Sequence, residues 1–298
     1  MVWDPLRAAY YGLFQLKRAW AKPYRAKAKV ISVGNLVLGG SGKTPLVIYL
    51  AKRLKERGFR VAVASRGYGS RGRGTRLAKP DSDPRHVGDE PVLIAAEAGV
   101  PVFVDPRRPR AVAAAAELAE LVILDDAHQN FSVKKDFSIV VLYWKHLREG
   151  AKLLPWGRWR EPLSALRRAD AVVVNLKADP VEPPDAPFGM RYEPERLEGT
   201  RVLGFSGLGD NASFRASLEA TGAEVAEFMS FPDHHFYLEA EVEKILSWAR
   251  SLGAVPITST KDWVRLPPRF RALVRPLRFE IRVEPDLSFE CVKRLFGN

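Results

Sequence analysis

The sequence predicts an α/β fold in which a doubly wound parallel sheet is followed by a second, smaller α/β unit. Three observations carry this. From residue 29 onward, short runs rich in Val and Ile alternate with stretches of helical length, as buried parallel strands joined by crossover helices require. A glycine-rich turn lies between the first such strand and the first such helix. A stretch rich in Pro, Asp and Glu over 177–194 then separates this series from a second one and reads as a linker or exposed excursion.

Taken in order, residues 4–22 read as one helix, capped by Asp4, with Pro5 in its first turn and Pro23 at its end. Trp3, Leu6, Tyr10, Leu13, Phe14 and Trp20 share one broad face, while Arg7, Arg18, Lys22 and Arg25 gather on a flank. Such a helix suits the interface of an anionic membrane. It suits equally well a first helix docked on the core with a solvated basic edge. Strands follow at 30–33, 61–64, 100–104, 121–124, 139–143 and 171–175, with helices such as 45–56 and 110–119 between them. The second α/β set occupies 202–205, 213–220, 225–231, 239–251, 255–259 and 277–283. The expected organisation is an N-terminal amphipathic helix over 1–28, a nucleotide-binding domain over 29–195 and a C-terminal α/β domain over 196–298.

Bulk properties narrow the function classes. The only cysteine is Cys291, which rules out an internal disulfide and a cysteine-built metal site and fits a reducing compartment. A formal net charge of +12 directs the chain towards anions: nucleic acid, an anionic membrane surface or phosphorylated molecules. No apolar run reaches spanning length, and the charged start predicts no signal peptide.

The first strand runs into Gly34-Asn35-Leu36-Val37-Leu38-Gly39-Gly40-Ser41-Gly42-Lys43-Thr44. Strand, glycine-rich loop and helix in that order form a phosphate-binding loop. Glycines let backbone amides close around phosphate oxygens, and the helix N-terminus adds its dipole. Gly39, Gly40, Ser41, Gly42, Lys43 and Thr44 are therefore expected to hold ATP. Lys43 would reach the β- and γ-phosphates and act in catalysis, and Thr44 would ligate Mg²⁺. The usual expression asks for Gly five residues before the Gly-Lys pair, where this chain has Val37. The run 121–124 ends in Asp125-Asp126, an apolar strand that delivers two carboxylates next to the metal.

Several local strings then fall in one order. They are Gly34-Asn35 through Thr44-Pro45, Ser65-Arg66-Gly67-Tyr68, Gly88-Asp89-Glu90-Pro91, Asp125-Asp126, Arg160-Glu161-Pro162-Leu163, Phe205 through Asn211, Pro232-Asp233-His234 and Thr260-Lys261-Asp262. Together they resemble the motif series of the tetraacyldisaccharide 4'-kinases over nearly the whole chain. The resemblance implies two α/β/α domains with the active site in the cleft between them. It implies an N-terminal helix dipping into the cytoplasmic face of the bacterial inner membrane. The implied reaction is transfer of the ATP γ-phosphate to the 4'-hydroxyl of a tetraacylated glucosamine disaccharide 1-phosphate, with Mg²⁺.

By the same resemblance Asp89 is the general base and His234 its partner. A sugar hydroxyl is a poor nucleophile, and a base beside it speeds attack on phosphorus. Taken alone, Asp89 reads as a helix cap and His234 as a solvated turn residue. Glu161 joins Thr44, Asp125 and Asp126 in the metal shell, and Arg160 neutralises the γ-phosphate; taken alone, Arg160 and Glu161 read as a surface ion pair. Arg66, Tyr68 and Arg107 would face the acceptor, as would Gln129 and Asn130.

The chain departs from the family at Ala127-His128-Gln129-Asn130-Phe131, where the family reads Gly-Phe-Gln-His-Arg, and at Trp156-Gly157-Arg158-Trp159. Only Gln129 matches in the first run; Asn130 stands at the family's His, with His128 two positions away. These changes spare the ATP machinery and fall on the acceptor side. A different glycolipid acceptor, or a non-catalytic nucleotide switch, is the alternative reading. No nucleic-acid-binding motif accompanies the charge, and nucleic acid is not expected as a partner.

Overall fold

The computed structural model describes Gly12 and residues 20–38, 40–150, 152–176 and 187–297. Nearly all of the helix expected over 4–22 lies outside the described residues, as does Gly39 of the loop. The first part of the chain runs β1 (Lys29–Gly34), α1 (Lys43–Glu56), β2 (Val61–Ser65), β3 (Arg76–Ala78), α2 (Pro84–Val87), α3 (Asp89–Ala98) and β4 (Val102–Val104). It continues through α4 (Arg108–Ala116), β5 (Leu121–Asp125), β6 (Phe137–Tyr143), α5 (Trp144–Arg148), β7 (Ala171–Asn175) and β8 (Phe188–Pro194). The second part comprises β9 (Arg201–Ser206), α6 (Asn211–Glu219), β10 (Glu224–Ser230), α7 (Glu239–Ser251), β11 (Val255–Ser259), α8 (Thr260–Arg265) and β12 (Arg275–Leu277). The strand β13 (Phe279–Glu284) and the helix α9 (Leu287–Phe296) close it.

The expected doubly wound sheet is present, in the order β13-β8-β7-β6-β1-β5-β2-β4-β3. Its pairs are parallel except at the two edges, where β3 and β13 run antiparallel. β5 pairs with β1 on one side and β6 pairs with β1 on the other. The chain therefore changes direction of winding at β1, and the crevice beyond the C-terminal ends of β1 and β5 is where ligands bind in such sheets. β2 and β5 are buried at every residue, which is why they read as unbroken apolar runs. One face packs on α1, α3 and α9 through Leu46, Leu50, Leu54, Ile94 and Leu287. The other packs on α4 through Ala111, Val112 and Ala115.

The second sheet, β10-β9-β11-β12, is parallel throughout. α6 covers one face with Phe214 and Leu218. α7 covers the other with Val242, Ile245 and Ala249.

Two features differ from the expected organisation. The stretch taken as a linker contains β8, which pairs with β7 and β13. In addition, the run 277–283 is divided at Arg278 between the two sheets: Leu277 pairs with Ser259 of β11, and Phe279 with Pro194 of β8. The residues at 279–296 thus return to the first sheet. Phe188, Met190 and Tyr192 alternate with polar neighbours, as do Ile281 and Val283, and these apolar residues pack into the core beside α1. That alternation is the mark of a half-covered antiparallel edge; between Pro and acidic residues it is easily read as loop.

Asp286 secures this return. Its carboxylate accepts from the Ser288 amide at 3.0 Å, capping α9, and from Arg57 at 2.6 Å and the Tyr49 hydroxyl at 3.3 Å. Against a desolvation effect that raises it, hydrogen bonds from Ser288 and Arg57 bring its pKa down to about 2. The Asp286→Ala variant is expected to lose about 1–2 kcal/mol in urea melts, the usual cost of a lost cap with a partner. A lowered carboxyl contributes stability that is present above the unfolded value and lost as pH falls through the folded one. The difference between wild type and variant should therefore shrink between about pH 4 and pH 2.

Candidate active site

The phosphate loop is held open by packing on its flanks. Asn35 donates to the Ser41 hydroxyl at 2.9 Å, and Asn175 donates to the Ser41 carbonyl at 3.0 Å. Gly42 has φ +94°, and a Cβ there would lie within 2.7 Å of Asn175, Tyr192 and Met190; only glycine fits. Lys43 and Thr44 open α1 immediately afterwards. Val37 has its own explanation. The Leu38 amide donates to the Arg158 carbonyl and the Arg160 amide to the Leu36 carbonyl, both at 2.7 Å, and Val37 forms a β-bridge with Trp159. Leu36, Val37 and Trp159 are buried together with Val140 and Leu142. The arm before the loop is therefore tied by an isolated bridge into an apolar cluster, where the usual expression has a flexible glycine. The divergent Trp159 is one of its anchors. Trp159→Ala should cost about 3–5 kcal/mol in denaturant unfolding and raise the KM for nucleotide, because the arm loses its backing.

The acid loop faces this one. Asp126 lies at φ +46°, a conformation that non-glycine residues hold only under constraint. Its carboxylate is 3.5 Å from both Lys43 Nζ and Arg160, and its carbonyl accepts from Arg108 at 2.8 Å. Burial would raise the Asp126 carboxyl, but Lys43, Arg160 and Arg108 hold it below the usual range. Asp125 is buried. One of its oxygens accepts from the Ser65 hydroxyl at 3.1 Å, and the other has no partner. Burial, then Glu90 and Asp126, push its carboxyl up to about 7. A buried orphan carboxylate oxygen next to a second carboxylate is a hard oxygen donor set that suits Mg²⁺, and the Thr44 hydroxyl at the start of α1 is of the same kind. No group of three or more protein ligands able to form a metal cage occurs among the described residues; Mg²⁺ commonly uses one or two carboxylates together with substrate phosphates.

Asp89 begins α3, immediately after Gly88, whose φ +94° and ψ 149° are reachable only by glycine. Its Oδ2 accepts from Arg265 NH2 at 2.5 Å and Nε at 3.1 Å. His234, at φ +60°, brings Nδ1 to 3.7 Å from the same oxygen and to 3.0 Å from Arg265 NH2. Burial would raise the Asp89 carboxyl; Arg265, by charge and hydrogen bond, and then Lys261 outweigh it and keep it below the ordinary range. Lys261 pairs with Glu90 at 3.1 Å. Because the charge of Glu90 acts on Asp125, the start of α3 joins the Asp89 cluster to the acid loop.

The remaining expected residues fall as follows. Arg66 and Tyr68 are exposed just beyond β2, with the charge of Arg66 felt at Arg108. Arg107 is exposed, whereas its neighbour Arg108 is buried and directed at Asp126. Gln129 donates to the Asn35 carbonyl at 2.7 Å, behind the phosphate loop. Asn130 accepts from Ser132, its amide at 3.1 Å and its hydroxyl at 2.9 Å. Glu161 is fully buried and pairs with Arg168 at 2.6 Å, leaving its other oxygen without a partner. His128 is buried against Arg168 at 3.1 Å, and burial with Arg168 and Lys135 lowers its pKa to about 3. It is a neutral interior residue and does not substitute for an exposed imidazole two positions away. Sequence reasoning missed Arg265 and Arg108. Thr260-Lys261-Asp262 opens the helix that carries Arg265, but nothing local marks an arginine three residues later. A cavity of about 610 Å³ opens beside Thr44 and Pro45, lined also by Tyr49, Tyr192 and Thr260.

A parallel sheet whose first strand enters a lysine-bearing anion loop, with paired carboxylates across the winding switch, defines a phosphate-loop phosphotransferase. The sequence profile of the family described as tetraacyldisaccharide-1-P 4'-kinase matches residues 3–295. Tetraacyldisaccharide 4'-kinase of Phenylobacterium zucineum is 40% identical over 97% of this chain and 91% of its own length. That of Paramagnetospirillum magneticum is 40% identical over 92% and 87%. The crystal structure of LpxK from Aquifex aeolicus in complex with ATP superposes with a TM-score of 0.82 at 32% identity, covering 98% of both chains. The chain belongs to the tetraacyldisaccharide-1-P 4'-kinase family of ATP-using phosphotransferases.

Proposed function

We propose that this chain transfers the γ-phosphate of ATP to the 4'-hydroxyl of a tetraacylated glucosamine disaccharide 1-phosphate, a lipid A precursor. The observation that carries the reading is the junction at α3: this helix packs on α1, the helix of the phosphate loop, through Val92, Leu93 and Ile94, and opens with Asp89 in contact with Arg265 beside His234. A hydroxyl held at Asp89 would then lie beside a phosphoryl group held over Lys43. The hydroxyl oxygen bonds to the γ-phosphorus as the bond to the β–γ bridging oxygen breaks. The hydroxyl proton passes to Asp89, and ADP leaves.

Lys43 and Arg160, which already converge on Asp126, neutralise charge on the transferring group. Backbone amides of the Gly40–Gly42 turn and the start of α1 cradle the phosphates. Thr44, Asp125 and Asp126, with Glu161, would hold Mg²⁺, which would supply charge neutralisation to the transferring phosphoryl group. The Thr44 end of the cavity, which Tyr192, Thr260 and Lys261 also line, would take the nucleoside. Arg66, Tyr68 and Arg108 border the side from which an acceptor arrives. Gln129 and Asn130 would support the acceptor side from the loop after β5.

No helix among the described residues is long and apolar enough to cross a membrane. With a net charge of +12 and an acylated substrate, the chain would work at the anionic cytoplasmic face of the inner membrane, met through residues 1–22. Nucleic acid has no part in this reading.

The test is transfer from γ-labelled ATP to the tetraacylated disaccharide 1-phosphate in detergent, beside the 4'-deoxy analogue and a differently acylated disaccharide. Label on the 4' position of the first alone is the expected result. Label on another acceptor only, or ATP binding without transfer to any of them, would overturn it.

A further inference from the structure

The geometry points to Arg265 as a positioning residue of the transfer reaction: its guanidinium aims the Asp89 carboxylate and fixes the tautomer of His234. The inference rests on the reading of Asp89 as the base. Arg265 is buried, with its side chain 1% exposed, and its donors are distributed between both parts of the chain. Nε and NH2 grip Oδ2 of Asp89 on the first. NH1 donates to the Gly207 carbonyl at 3.2 Å on the second.

The arginine is itself fixed from behind. Asp262, fully buried, lies 3.5 Å from NH1. It also accepts from the Gly207 amide at 3.1 Å and from the Ser259 hydroxyl at 2.5 Å. The loop bearing His234 is tied to the same carbonyl, since the His234 amide donates to Gly207 at 3.1 Å. One guanidinium therefore organises the start of α3, the turn after β9 and the strained turn at His234.

A guanidinium has donors only, so the 3.0 Å contact with His234 Nδ1 makes that nitrogen an acceptor. The imidazole is then neutral and carries its proton on Nε2. Oδ2 of Asp89 is taken by Arg265, which leaves Oδ1, with one amide donor from Glu90 at 2.9 Å, as the oxygen with a lone pair for a substrate hydroxyl. The charged groups around Asp89 are Arg265 and Lys261 of α8 and Glu90 on its own helix; the neutral His234 faces it from the turn, with Asp233 3.9 Å from the His234 Nε2, and Asp262 lies behind Arg265. Lysine at 265 would provide one point charge and could not span both partners.

The experiment uses the full chain as wild type, Arg265→Gln and Arg265→Lys. It reads the pH profile of transfer, ¹⁵N shifts of His234 and the ¹³C titration of the Asp89 carboxyl. In Arg265→Gln the acid limb should move up by about one pH unit or more, as for a buried carboxyl losing its cation. Its kcat should fall on the order of 100-fold, the effect of misplacing a reacting group, with the KM for ATP little changed. Arg265→Lys should recover about tenfold of that loss, because a cation again faces Asp89, while His234 populates both tautomers. It also covers the case in which the glutamine variant does not fold. An Asp89 titration and a His234 ¹⁵N pattern like wild type in whichever variant folds would overturn the inference. If the Asp89 titration moves but the pH profile of transfer does not, the Arg265 linkage stands and the assignment of Asp89 as base fails.

Discussion

Replacing Lys43 with Met is expected to lower kcat/KM for phosphate transfer by about a thousandfold or more while leaving the protein folded. The transferred phosphoryl group carries spread negative charge, and catalysis of its transfer is mainly positioning and electrostatic stabilisation. Lys43 is the first residue of α1, where the helix dipole already favours an anion. Its ammonium is mostly shielded, with the side chain 15% exposed and 3.5 Å from Asp126. Methionine keeps the length and removes the charge. Asp126 would still face Arg160 and Arg108, so stability should change by less than about 1 kcal/mol, as for a partly exposed pair with other partners. Rate assays with ATP titration and a urea melt separate the two effects. Transfer within tenfold of wild type would show that Lys43 does not meet the transferring group.

The second large effect is expected at Asp89→Asn, with transfer lowered about a thousandfold, in the middle of the range for removing a general base, and ATP binding retained. Asparagine preserves shape and an oxygen for the Glu90 amide. It cannot take a proton from a hydroxyl in the same way, and it leaves a buried guanidinium with only Asp262 as a charged partner. That second consequence should cost roughly 2–4 kcal/mol, somewhat under the cost of leaving a buried charge unpaired. The sign with pH follows from the lowered carboxyl. The Asp89–Arg265 pair contributes stability that is present above about pH 4 and lost as pH falls through the folded value. In the variant that acid-side loss disappears, so the two unfolding curves should converge at low pH. Near-normal transfer by a folded variant would remove Asp89 from the chemistry; a stability gap independent of pH would mean that the charge pair is not its source.

The elements whose signal is local are legible in the order of the amino acids. Strands such as β2 and β5 are apolar at nearly every position, and Gly42-Lys43-Thr44 between β1 and α1 carries its own turn chemistry. The alternation of strands and helices in the large sheet, the anion loop and the two acids can therefore be read from the residues themselves. Val37 looks like a defect in the sequence because the packing that replaces glycine there, the bridge to buried Trp159, is remote along the chain. The edge strands β8 and β13 alternate over too few residues, among Pro and acids, to announce themselves. Only the fold decides that the chain breaks at Arg278 and returns to the first sheet.

The charge cluster is the least legible part. Asp89, His234 and Arg265 come from three separate segments, and nothing in the spacing of an arginine on α8 says that its guanidinium will be buried between a carboxylate and an imidazole. Such contacts arise from packing α8 against α3, which brings together groups 176 residues apart. Local patterns encode backbone conformation and burial. Which charges meet, and which nitrogen of His234 carries a proton, is set by the distances that tertiary structure imposes.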